Sequence, residues 1–138
     1  MTTVAANNRM IAADTQYCNA GIKSRGRKLY QARDWYVGIA GNVAAGMEFV
    51  KWARGSRIKR PPRGDYTALI LTTKGALILY ENGQLTPTES PDAIGTGAAA
   101  ALAAMRCGRT PADAVRVAAK IDVFTGGRIH KFVVRPVG

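Results

Sequence analysis

Histidine is nearly missing from this sequence: His130 is the only one in 138 residues. A histidine-based catalytic triad is therefore disfavoured, since its one candidate sits in the strand-like run IHKFVV, and a metal site built from several imidazoles is disfavoured with it. Cysteine is almost as scarce. Cys18 and Cys107 lack the short spacings of a zinc site and read as free thiols. Acidic residues number nine against 20 lysines and arginines, for a net charge of +11. Long hydrophobic runs are missing too, since no segment approaches the roughly 18 apolar residues that span a bilayer. The opening MTTVAANNRM has neither the charged start nor the apolar stretch of a secretory signal. A cytoplasmic protein with no membrane span, no cofactor and no metal is expected.

What is present suits one globular domain over residues 1–138, with 47% hydrophobic residues. Thr2 to Ala6 and Met10 to Ala13 are short apolar runs joined by the turn residues Asn7-Asn8-Arg9, which predicts a β-hairpin at the very start. Chain ends are usually frayed and polar, so a terminus built into a sheet calls for a reason. A polar stretch leads to Leu29-Tyr30, then a strand over Trp35 to Gly41. Asn42 caps a helix that runs to about Arg54, with Val43, Met47 and Val50 at helical spacing. Thr67 to Thr73 and Ala76 to Glu81 read as strands, and Asn82-Gly83 as a turn. An alanine-rich helix is predicted from Thr96 or Gly97 to Gly108. A second helix carries Thr110 as its cap, Pro111 at its first position and Asp113 at its third, and ends near Asp122. A last strand spans Ile129 to Val134 and contains His130, read as structural or as a surface residue. Strands in mixed order with helices in blocks predict sheets covered by helices.

Without histidine or metal, a hydrolase needs another base. An N-terminal threonine supplies one itself: its hydroxyl attacks, and its free α-amine, with an ordinary pKa of about 7.7–8.0, accepts the proton. Met1 precedes the small Thr2, so its removal is chemically easy. Asp122 draws attention separately. A carboxylate at a helix C-terminus opposes the dipole by roughly 0.3–1 kcal/mol, and a broken local rule often marks a site.

The segments MTTVAANNRMIAADTQ, GRKLY, VGIAGNVAAG, AIGTGAAAAL and KIDVFTGG, in that order, resemble the proteasome β subunit and the bacterial HslV-type peptidase. The resemblance covers nearly the whole chain. It implies an α+β, four-layer αββα sandwich of the N-terminal nucleophile hydrolase type. One helix and a basic Pro-Pro loop stand where the family has two helices, so one outer helix is expected to be missing.

By the resemblance, Thr2 matches the nucleophile, Lys28 the catalytic lysine, and Asp14 the acidic residue that holds it. Such a cation depresses the pKa of the neighbouring amine and keeps it neutral. Gly38 matches the glycine of the oxyanion hole. A glycine inside a strand often marks close approach. By strand parity Tyr36 and Ala40 share its face and are the expected walls of the substrate pocket. Asp122 and Thr125 match the aspartate and hydroxyl around the amine, and Thr96 the hydroxyl at the start of the long helix. Serine is usual at both hydroxyl positions, and here threonine stands in each. Extended substrate is expected to add as a strand beside Gln16 to Cys18 and Gly38.

The function implied is a threonine endopeptidase acting on protein or peptide in a homo-oligomeric ring, packed partly through the alanine-rich helix, with any ATPase unfoldase separate. The alternatives are a catalytically silent scaffold or nucleic-acid-binding protein using the basic patches, and an amidase for small substrates. Nucleic acid ranks low because neither basic patch, Lys23 to Lys28 or Arg54 to Arg63, carries interleaved aromatics. The loop Arg54 to Arg63 is expected to be exposed, because its prolines forbid helix and its charges repel.

Overall fold

The computed structural model describes residues 2–55 and 60–135. The chain opens as the expected hairpin, β1 (Thr3–Ala6) and β2 (Met10–Ala13). Its turn is made by Asn7, whose side-chain oxygen accepts from the N–H groups of Arg9 and Met10 at 2.9 and 2.8 Å. A second hairpin follows where the sequence reads only as polar: β3 (Gln16–Asn19) and β4 (Ile22–Arg25). Ala20 and Gly21 turn it with φ of 51° and 78°, the left-handed pair that fits a two-residue hairpin.

Next come β5 (Leu29–Ala32), β6 (Trp35–Gly41) and the helix α1 (Val43–Ala53). Asn42 caps α1 as its type predicts, accepting from the Ala45 N–H at 2.9 Å. β7 (Tyr66–Thr72), β8 (Leu77–Glu81) and β9 (Gln84–Pro87) form a meander. β10 (Asp92–Gly95) then leads into α2 (Ala98–Arg106) and α3 (Pro111–Ile121), and β11 (His130–Val133) ends the described fold. Thr110 caps α3 through the Asp113 N–H at 3.2 Å.

One sheet has the order β10-β1-β2-β11, the other β5-β6-β7-β8-β9, and every pairing is antiparallel. Val4, Ile11, Leu29, Leu69 and Leu71 fill the space between the two sheets. α2 and α3 cover the first sheet through Ala5, Ala12, Ala101, Met105 and Val115. α1 alone covers the second, over Val37, Ile39, Phe49, Tyr66 and Tyr80. The architecture is therefore a four-layer αββα sandwich, with one helix in the α1 layer among the described residues. No helix among them is long and apolar enough to cross a membrane. The small side chains of α2 are used within the chain, where Ala101 is fully buried and Ala100 and Ala104 pack beside it.

The basic loop departs from its expectation. Arg57, Ile58 and Lys59 lie outside the described residues. Beyond them Pro61 and Pro62 are half-buried rather than exposed, and Arg60 and Arg63 are exposed. The hydroxyls of Tyr66 and Tyr80 both donate to the Pro62 carbonyl, the latter at 2.8 Å, and hold this part of the loop against the sheet.

Gly38 makes the two sheets meet closely. A Cβ there would lie 2.4 Å from Val4 Cγ1 and 3.1 Å from Leu29 Cδ2. Gly38→Val should therefore destabilise the fold by about 1–3 kcal/mol through overpacking, and adding Val4→Ala should recover part of it. Denaturant midpoints of the parent and the two variants measure this; a Gly38→Val protein as stable as the parent would refute the packing account.

Candidate active site

Asp14 sits between β2 and β3, fully buried. Its two oxygens each lie 3.0 Å from Lys28 Nζ. Oδ1 also accepts the Thr3 N–H at 3.1 Å, and Oδ2 accepts the N–H groups of Gly126 at 3.1 Å and Gln16 at 3.4 Å. Lys28 is 1% exposed, donates to the Gln16 carbonyl at 2.5 Å and lies 4.8 Å from the centre of the Tyr17 ring. Burial lowers the lysine's pKa, and the Asp14 carboxylate opposes that by favouring the charged form. Lys23, Arg25 and Arg27 are all exposed. Of the basic run, Lys28 is the member paired with Asp14.

A second cluster lies at the end of α3. The hydroxyls of Thr96 and Thr125 both donate to Asp122 Oδ2, at 2.5 and 2.7 Å, and the Phe124 N–H donates to Oδ1 at 3.1 Å. Thr125 also lies 2.7 Å from the Thr3 hydroxyl. Because the Thr125 proton goes to Asp122, Thr3 is the donor of that pair. The carboxylate at the helix end is thus held by three donors. Burial alone would raise its pKa, but these hydrogen bonds outweigh burial and lower it. Glycines clear the space: a Cβ on Gly95 would meet the Thr2 carbonyl, and one on Gly97 would lie 2.1 Å from Thr3 Oγ1. Thr3 was not singled out from the sequence. Its only signal is its position beside Thr2, since strand neighbours face opposite ways.

Thr2, 5% exposed, lines a small, partly open cavity with Tyr17, Tyr30, Ile39, Gly41, Val43 and Met47. The expected walls, Tyr36 and Ala40, are elsewhere. Both pack into the core between the sheets, where Tyr36 stacks on Phe132 with ring centres 4.7 Å apart. The face is off by one residue, and in a strand one residue reverses the side.

Gly38 shares the displaced face, and its amide also turns away. Ile39 N–H donates to the Lys28 carbonyl at 3.1 Å, so by antiparallel alternation the Gly38 amide faces β7, opposite Leu69. Gly41 is placed differently. Asn42 N–H donates to the Asp65 carbonyl at 2.8 Å, which turns the Gly41 amide away from β7. On that side β5 has ended, since its first residue pairs with Gly38. The Gly41 amide therefore faces past the end of the sheet, and Gly41 is among the residues that line the cavity beside Thr2.

The β3 edge can be assigned in the same way. Gly26 N–H donates to the Thr15 carbonyl at 2.9 Å, so the amides of Gln16 and Cys18 turn away from β4. Those of Gln16 are occupied by Asp14 and Lys28, and its side chain donates to the Val123 carbonyl at 3.2 Å. Gln16 is therefore committed inside the chain, and Cys18 alone of the two presents a backbone edge.

No family model matches the chain, and no curated protein sequence matches it. Solved structures do. Thiobacillus denitrificans BPH superposes with a TM-score of 0.77 at 18% identity, covering 99% of each chain. Its complex with epoxomicin gives 0.75 at 17%, over 98% of this chain and 99% of that one. HslV from Trypanosoma brucei gives 0.71 at 20%, over 95% and 98%. The fold is that of HslV. This agrees with the mixed α+β sandwich expected from the sequence.

Two measurements test the clusters. Lys28→Met leaves the Asp14 charge buried without its cation and should cost about 3–5 kcal/mol. Lys23→Ala, on an exposed strand, should change stability by less than about 0.5 kcal/mol. Denaturant unfolding of both variants decides between Lys28 and its neighbours. For Asp122 the folded pKa lies below the unfolded one, so its stabilisation is present above the ordinary carboxylate pKa and fades as pH falls through the depressed value. Thr96→Val should move the Asp122 carboxyl titration, followed by carbon NMR, upward toward the ordinary value; an unmoved titration would exclude the hydroxyl as a cause.

Proposed function

We propose that the chain is a threonine peptidase that uses Thr2, after removal of Met1, as its nucleophile. The observation that carries this reading is the attachment of the Asp14–Lys28 pair to the nucleophile's strand, through Thr3 N–H on Asp14 at 3.1 Å, with Thr2 at the cavity. The HslV-like fold supports it, as does the existence of a neighbour solved with epoxomicin.

In this mechanism the Thr2 α-amine accepts the hydroxyl proton as Oγ attacks the scissile carbonyl. The Gly41 N–H stabilises the oxyanion, a contribution of roughly 2.7–4 kcal/mol for such a donor. The C–N bond then breaks, and the ammonium returns its proton to the departing amine. The ester left on Thr2 is cleaved by water, whose proton the amine takes and then passes to Oγ as the acyl–oxygen bond breaks, restoring the free threonine. Lys28 favours the neutral amine by charge repulsion. Asp122, with Thr96 and Thr125, orders the hydroxyl network beside Thr2. An extended peptide adds to the open edge of β3 through the Cys18 backbone. Assembly with further copies of the chain, and a separate unfoldase, belong to this reading.

Intact mass should show the loss of Met1, and Thr2→Ala should reduce peptide hydrolysis to background while leaving the melting temperature near the parent's. Thr2→Ser keeps an attacking hydroxyl and should retain turnover. Hydrolysis by Thr2→Ala equal to the parent's would end the mechanism. Retention of Met1 would favour the silent reading instead.

A further inference from the structure

The cavity that Thr2 lines is too small for most side chains. Its volume is about 10 Å³, close to what a single water molecule needs. We propose that the protein cleaves after glycine or alanine and rejects larger residues at the attacked carbonyl, because Gly46 seats α1 directly on Ile39. This rests on the peptidase reading above and adds the substrate class.

The walls are fixed at their ends. Tyr17 and Tyr30 both donate their hydroxyls to the Arg27 carbonyl, each at 2.8 Å, so neither ring swings out without losing a hydrogen bond. The Tyr17 ring is also held against Lys28. Burial pushes the Tyr17 hydroxyl up to about 12, so it remains a donor throughout the working pH range.

The roof is α1, which contributes Val43 and Met47, one turn apart. Between them Gly46 is buried, and a Cβ there would lie 2.3 Å from Ile39 Cγ2. A glycine inside a helix costs roughly 0.5–1 kcal/mol relative to alanine. Here it permits backbone contact with a β-branched strand residue, which brings Met47 down over the cavity. Gly41 completes the wall with φ of +111°, and a Cβ there would lie 2.7 Å from the Asp65 carbonyl oxygen. Only Met47, half-buried and unbranched, is an adaptable wall.

The test uses tetrapeptides with a fluorogenic leaving group that differ only at the attacked residue: Gly, Ala, Val, Leu or Phe. They are assayed with the full-length parent, Met47→Ala, Gly46→Ala and Thr2→Ala. The parent should show kcat/KM for Gly and Ala at least about tenfold above Leu and Phe, the scale at which a pocket discriminates by size. Met47→Ala should shrink or reverse that ratio. Gly46→Ala should do the same if it folds, by lifting α1; if it does not fold, Met47→Ala decides. Thr2-dependent cleavage after Leu or Phe as fast as after Ala would keep the peptidase reading and overturn the size limit. A ratio unmoved by Met47→Ala would overturn the assignment of the roof. Absence of Thr2-dependent turnover on all five would overturn both readings.

Discussion

The buried ion pair of Asp14 and Lys28 is the constraint on which this structure turns. Taking a carboxylate and an ammonium out of water is costly, and their attraction compensates only if the remaining hydrogen-bonding capacity is filled. It is filled here by main chain from distant segments. Asp14 takes N–H groups from Thr3, Gln16 and Gly126, and Lys28 takes the Gln16 carbonyl. Four pieces of chain that share no sequence neighbourhood are fixed to one point. No buried side-chain polar atom among the described residues is left without a partner. The opening strand is therefore tied to the charge pair through Thr3, next to Thr2, as well as to its sheet neighbours β10 and β2.

A second constraint is small size at the layer contacts. Val4 reaches β6 only because residue 38 lacks a side chain, and the first sheet meets its helices through Ala5, Ala12, Ala112, Ala114 and Ala118. Close packing of this kind rewards fit within a few tenths of an ångström. The Gly95-Thr96-Gly97 segment applies the same principle to chemistry. Its two glycines remove Cβ atoms that would strike Thr2 and Thr3, and the threonine between them then reaches Asp122.

These two constraints explain what could be read from the sequence. The first hairpin and the caps at Asn42 and Thr110 follow local rules, and Asp122 visibly breaks one, so residue type and position sufficed for all of them. The pairing of Asp14 with Lys28 came from resemblance, because nothing local tells Lys28 from Lys23, and only burial separates them. The β3–β4 hairpin was illegible since every residue of β4 is exposed, which leaves no apolar alternation. β10 was hidden for another reason: Ser90, Pro91 and Asp92 look like loop, and pairing with β1 supplies the order that propensity does not. The pocket walls failed on parity. A strand covered on both faces has apolar residues at every position, so sequence cannot say which face belongs to the site.

The single outer helix brings the argument back to the site. Among the described residues α1 is the one helix on the five-stranded sheet, and besides the close approach of Gly46 to Ile39 an aromatic group holds it: Phe49 contacts Trp52, Tyr66 and Tyr80 with ring centres 4.7 to 5.9 Å apart. Tyr66 and Tyr80 are in turn fixed by donating to the Pro62 carbonyl. Burial raises the Tyr66 pKa, which keeps that donor protonated. Pro62 thus supplies an acceptor here, since a proline carbonyl remains available although its nitrogen has no proton to give. A chain of contacts runs from the basic loop through two tyrosines and Phe49 to α1, and from α1 through Met47 to the cavity beside Thr2. Pro62 is thereby linked, contact by contact, to the roof of that cavity, and α1 is the one helix on this sheet among the described residues.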